Sequence, residues 1–163
     1  MMAKPTILLI PGAWHDGSIY HPLTTILRSR GFDAEPITLP SLGGPPSTSA
    51  YDDANYIQEK YLTPLINEGK EALIVVHSYA GVPGTECVRG FTRKDLEEQG
   101  KIGGVVGLVY IAASVVPKGW SVEKMVGKRI ENLMEMNEVP ISKHASISIR
   151  KSKKNDLSEC RTE

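Results

Sequence analysis

Between residues 6 and 112, short unbroken apolar runs alternate with longer stretches of helical spacing. Thr6-Ile7-Leu8-Leu9-Ile10 is apolar throughout and is closed by Pro11-Gly12. A strand buried on both faces has this pattern. From Ser18 to Arg30 the apolar positions Ile19, Leu23, Ile26 and Leu27 recur at helical spacing, and Gly31 supplies the stop. Asp33 to Leu39 reads as a second strand. Pro40 to Ser49 is a Gly/Pro/Ser loop.

The clearest helix runs from Ala50 to Glu68. Ile57, Tyr61, Leu62, Leu65 and Ile66 form one face, and Gly69 ends it. Ser49 with Asp52 three positions on matches a capping box. Pro64 is expected to kink this helix. Ala72 to Val76 is a third buried strand, followed by a helix from Ala80 to Phe91. Pro83 is tolerated there because first-turn amides have no helical partner. Gly104 to Ala112 is a fourth apolar strand. Strands alternating with helices predict right-handed crossovers and an α/β, three-layer sandwich with a mainly parallel sheet.

After Pro117 the pattern changes. Ser121 to Met136 has helical spacing of Val122, Met125, Val126, Ile130, Leu133, Met134 and Met136. From about Ser142 the chain is polar, alternating and uncapped, and it is read as a disordered tail over 141–163. No internal repeat is present at any solenoid period.

Composition narrows the class. The 163 residues are 40% apolar and 23% charged, as in an ordinary globular protein. Nineteen basic residues balance nineteen acidic ones, so no net field favours nucleic acid or an anionic membrane. Cys87 and Cys160 are far apart and form no CxxC pair, which argues against a disulfide framework or a zinc site. The opening apolar run is too short for a signal peptide or a membrane span. These features predict a soluble, cytoplasmic protein without metal or cofactor. They specify no oligomeric state.

The chemistry centres on Ile74-Val75-Val76-His77-Ser78-Tyr79-Ala80-Gly81. A buried strand runs into a serine and then into small residues that open a helix. Such an elbow strains the backbone of its central residue and lifts the side chain clear of the sheet. The common pattern has glycine two residues before and two after the serine; here those positions are Val76 and Ala80. A serine capping a helix after a strand is the plainer reading.

Pro11-Gly12-Ala13-Trp14-His15, directly after the first strand, shifts the balance. Acyl transfer places negative charge on the carbonyl oxygen, and each amide aimed at that oxygen lowers the barrier by roughly 3–4 kcal/mol. In the elbow architecture one amide belongs to the residue after the serine, here Tyr79. The other comes from this first loop, from Ala13 or Trp14. Trp14 and His15 then line a substrate pocket. Both features fall at the carboxyl ends of parallel strands, where open α/β sheets bind ligands.

Taken together, Ile7 to His15, the helix ending in Arg30-Gly31-Phe32, and Val76 to Gly81 resemble the α/β-hydrolase superfamily. The nearest branch is the small esterases that include plant methyl esterases, hydroxynitrile lyases and their fungal and bacterial relatives. Leu108-Val109-Tyr110-Ile111-Ala112-Ala113 is similar to that branch's strand after the nucleophile helix. The resemblance covers about residues 4 to 120 and implies a core over 1–116 and the start of a helical lid over 117–140. It implies Ser78 as nucleophile and a small carboxylic ester as substrate.

The superfamily's chain order is serine, acid, histidine. After Ser78 this chain carries one histidine, His144, and two aspartates, Asp95 and Asp156. None sits at the end of a further strand, so the chain is expected to be C-terminally truncated. His77 points away from the serine side of the strand and is expected to be structural, and His21 to be on the surface. Weak hydrolysis, a non-catalytic remnant and a lyase on the same scaffold remain the competing functions.

Overall fold

The computed structural model describes residues 4–120, 137–142 and 145–149. The chain falls into two compact units, Met1–Val115 and Val116–Glu163.

The first unit is built on a four-stranded parallel sheet. Its strands are β1 (Thr6–Ile10), β2 (Ala34–Pro36), β3 (Glu71–His77) and β4 (Gly104–Ile111), in the order β2-β1-β3-β4. Ile10 lies beside Val76, and Val76 beside Tyr110, so β1, β3 and β4 end together at one rim. The sandwich expected from the alternating pattern is present. On one face α2 (Ala50–Ile57) and α4 (Gly81–Glu86) cover Leu8, Ile10, Ile74 and Val76. On the other, α1 (His21–Ser29) brings Leu27 onto Ile7, Leu9 and Ala34.

Several boundaries differ from the sequence expectation. The first helix splits into a 3-10 turn at Gly17–Tyr20 and α1, because Pro22 fits the first turn of a new helix. It ends as expected at Gly31, whose φ of 74° lets the Gly31 and Phe32 amides reach the carbonyls of Arg28 and Leu27. Ile19, Leu23 and Ile26, expected to pack, are exposed. The second strand shrinks to Ala34–Pro36, since Pro36 cannot donate to a ladder and is tolerated only at the sheet edge.

The long helix is continuous but not uniform. Between α2 and α3 (Thr63–Asn67) it widens into a π turn at Gln58–Leu62. Pro64 has no amide and its ring collides with the carbonyl four residues back, so the extra residue accommodates it. The helix after β3 is shorter than the expected 80–91. A further short helix, α5 (Arg93–Glu97), follows it, opened by a capping box between Thr92 and Asp95.

In the second unit, β5 (Asn137–Ser142) and β6 (Ala145–Ile149) pair antiparallel, with Val139 opposite Ile147. The stretch from about Ser142 was expected to be disordered. Its described part instead follows the period-two alternation of Ala145-Ser146-Ile147-Ser148-Ile149, which suits a strand. The helical lid was expected over 117–140; residues 121–136 lie outside the described residues, and 137–140 belong to β5 rather than to a helix. Among the described residues, no helix is long and apolar enough to cross a membrane.

Candidate active site

Among the described residues, three that are not glycine have a positive φ: Trp14 (68°), Ser78 (52°) and Ala112 (42°). Each follows the carboxyl end of a parallel strand, β1, β3 and β4 in turn. Left-handed backbone at a residue with a Cβ is strained, and such strain concentrates at ligand sites.

The turn at Ser78 is abrupt. His77 closes β3 in an extended conformation with φ −119° and ψ 137°, Ser78 reverses φ, and Ser78–Ala80 form a 3-10 turn that opens α4. Its carbonyl accepts the Ser114 amide at 2.9 Å, tying the elbow to the segment after β4. Ser78 is half-buried.

Small residues around the elbow let neighbours approach. A Cβ on Gly12 would stand 2.8 Å from Ser78 Cβ and 3.1 Å from His77 Nδ1, so the first loop lies directly against the elbow. A Cβ on Gly81 would stand 2.2 Å from the Ser114 carbonyl oxygen. Ala80 is fully buried.

The first loop is itself a tight turn. The His15 amide donates to the Gly12 carbonyl at 3.4 Å, enclosing Ala13 and Trp14. His15 Nδ1 donates to the Ala13 carbonyl at 3.0 Å, which leaves Nε2 of the neutral ring as an acceptor. Trp14 and His15 are exposed, and Ala13 is half-buried.

Tyr79 has a partner that sequence reasoning missed. Its hydroxyl donates to Asp53 Oδ2 at 2.9 Å. The same carboxyl group accepts the Ser41 amide at 2.9 Å on Oδ1 and the Ser41 hydroxyl at 2.7 Å on Oδ2. Asp53 is fully buried. Burial and the bond to Asp53 push the Tyr79 phenol well above its ordinary pKa, so it stays a donor across the physiological range. A signal for Asp53 was available: it shares a helix face with Ile57, four positions on.

The remaining ionisable candidates fall elsewhere. Asp95 accepts from the Thr92 hydroxyl at 2.6 Å and amide at 3.2 Å, so it serves the cap of α5. His21 begins α1 and is exposed. His77 is half-buried beside Gly12. His144 and Asp156 lie outside the described residues. Among the described residues, no three His, Cys, Asp or Glu side chains gather as a metal site.

A parallel sheet sandwiched by helices, with a strained serine at a strand-to-helix turn on its carboxyl rim, defines an α/β protein of the elbow type. The model of the alpha/beta hydrolase family matches residues 7–145, and the chain belongs to that family. It is 33% identical over 135 residues to the alpha/beta hydrolase nvfD of Aspergillus novofumigatus, covering 82% of this chain and 53% of that protein. The chain thus spans about half the length of the curated relatives it matches.

Among solved structures it resembles a pyrethroid hydrolase from Sphingobium faniae, with a TM-score of 0.52 and 21% identity, over 75% of this chain and 45% of that one. It also resembles tomato methylketone synthase I, with a TM-score of 0.52 and 13% identity, over 91% and 57% of the two chains. At these identities the likeness concerns the fold.

Proposed function

We propose that this chain carries the nucleophile half of a serine hydrolase acting on a small carboxylic ester. The observation that carries the reading is the φ of 52° at Ser78, at a turn where Gly12 brings the first loop against the serine. Ser78 Oγ attacks the ester carbonyl. The main-chain amides of Ala13 and Tyr79 hold the oxyanion, and Trp14 and His15 line the pocket mouth. The relative from Aspergillus novofumigatus, a hydrolase by name, supports the same class.

The serine needs a base to give up its proton. Asp95 is engaged in a cap, and no described histidine follows Ser78. Without such a base, Ser78 is expected to react slowly. An oxyanion hole and binding alone supply on the order of 10³ to 10⁴ over water. We infer a cytoplasmic setting as well, which suits the buried free thiol of Cys87.

A fluorophosphonate probe tests the nucleophile. Slow labelling that Ser78→Ala abolishes is the expected result. Labelling that survives Ser78→Ala, or a chain that takes up no probe after prolonged exposure, would overturn the proposal.

A further inference from the structure

We propose that Asp53 is a positioning residue for the elbow, holding Tyr79 and the loop after β2 in one fixed arrangement at the sheet's carboxyl rim. The inference rests on the reading of Tyr79 as an oxyanion donor.

Three observations converge. First, Asp53 is a fully buried carboxyl group. Burying such a group is costly unless its oxygens are satisfied, and residues of this kind are retained where they fix geometry. Second, its partners come from two loops that are far apart in sequence. Ser41 gives an amide and a hydroxyl from the segment after β2, and Tyr79 gives its phenol from the residue after the proposed nucleophile. Third, the residue it grips lies next to the strained one. Ser78 has a φ of 52°, and Tyr79 occupies the 3-10 turn that follows.

A strained turn persists only when its surroundings over-determine it. The Ser78 carbonyl is held by Ser114, and Ala80 is packed in the core. Between them, the Tyr79 ring is fixed by its hydroxyl to Asp53, which is anchored in α2 behind the sheet rim. Fixing the ring limits rotation of the peptide plane that carries the Tyr79 amide. An oxyanion donor acts through a direction set before the reaction, so loss of this anchor lowers the chemical step rather than binding. Ser41 is held by the same carboxyl group, so the β2 loop and the elbow keep a common geometry.

The test compares wild type, Asp53→Asn, Asp53→Ala, Tyr79→Phe and the Asp53→Ala/Tyr79→Phe double variant in the 163-residue chain. Two measurements are made on folded protein: saturation kinetics of fluorophosphonate labelling, and hydrogen exchange of the Tyr79 amide under selective tyrosine ¹⁵N labelling. Tyr79→Phe removes one oxygen atom and retains the fold if the Asp53 variants do not.

Asp53→Ala and Tyr79→Phe are each expected to lower the limiting labelling rate by about tenfold to a hundredfold with half-saturation unchanged. Combining the two adds little further loss, because they cut one connection. Asp53→Asn, which keeps an acceptor oxygen, recovers part of the rate. The Tyr79 amide exchanges about fivefold faster or more in Asp53→Asn, while Tyr56 and Tyr61 stay as in wild type.

Wild-type limiting rates in Tyr79→Phe and Asp53→Ala, with only the melting temperature lowered, would reduce Asp53 to a stabilising residue and overturn the inference. If wild type takes up no probe, the nucleophile proposal fails, and the exchange measurement still decides the anchor. An unchanged Tyr79 amide in Asp53→Asn overturns it.

Discussion

Val76 fits beneath the elbow because Gly84 has no side chain: a Cβ on Gly84 would stand 2.4 Å from Val76 Cγ1. The branched residue two before the serine departs from the usual glycine, and the space is returned three residues into α4. Val76 is fully buried, so it cannot turn outward.

Gly84→Ala is expected to destabilise the protein. Alanine gains about 1 kcal/mol over glycine inside a helix. Overpacking against a β-branched neighbour costs about 1–3 kcal/mol. The contact is short enough for the second effect to win, leaving a net loss of up to about 2 kcal/mol. Adding Val76→Ala restores room for the new methyl. A urea-melt cycle of the two single variants and the double checks this; purely additive effects would contradict the pairing.

Gly12→Ala is expected to silence Ser78 while the chain still folds. The added Cβ collides with Ser78 Cβ and His77 Nδ1, and the loop must move away from the elbow. A displacement of about 1 Å can cost about 100-fold in rate. Fluorophosphonate labelling set beside circular dichroism measures both consequences. Wild-type labelling would show that this loop plays no part.

Cys87 is expected to resist alkylation in the native protein. It is fully buried, its Sγ donates to the Gly84 carbonyl at 3.2 Å, and burial pushes the thiol pKa up to about 12. The thiolate is the reactive form. Iodoacetamide at neutral pH, followed by peptide mapping, is expected to leave Cys87 free until denaturant is added. Native modification at Cys87 would contradict its burial.

Stability is expected to fall in alkali. Burial raises the phenols of Tyr20 and Tyr79, pushes Tyr61 up to about 12, and does the same to the Cys87 thiol. Each group has a folded pKa above its unfolded value, so the folded state holds its proton longer. The contribution is fully present below the unfolded values, about 8.5 for the thiol and about 10 for the phenols. It is lost as pH rises through the folded ones. The melting temperature should be flat from pH 7 to about 8.5 and decline above that. In Tyr79→Phe the decline should be shallower above about pH 10. Equal slopes in the two proteins would exclude Tyr79 as a contributor.

Much of the site was legible in the chain because the elbow is local. A buried strand, a serine and small residues follow one another, so Ser78 and the Gly12 loop could be placed from neighbouring positions alone. Asp53 could not. It follows a capping aspartate in the first turn of a helix, where acidic residues are ordinarily solvated, and its tyrosine partner is 26 residues away. The same holds for the 3-10 turn and α1, whose apolar spacing is real although Ile19, Leu23 and Ile26 are exposed.

The sequence by itself determined the order of strands and helices, the parallel sheet and the position of the strained strand-to-helix turn, because periodicity and turn chemistry act between near neighbours. Only the tertiary structure decided that Val76 is accommodated by Gly84, that Asp53 is buried under Tyr79 and Ser41, and that Asp95 is spent on a cap. Spacing along a chain states which face of an element is apolar. Which distant side chain meets that face is settled by packing in three dimensions.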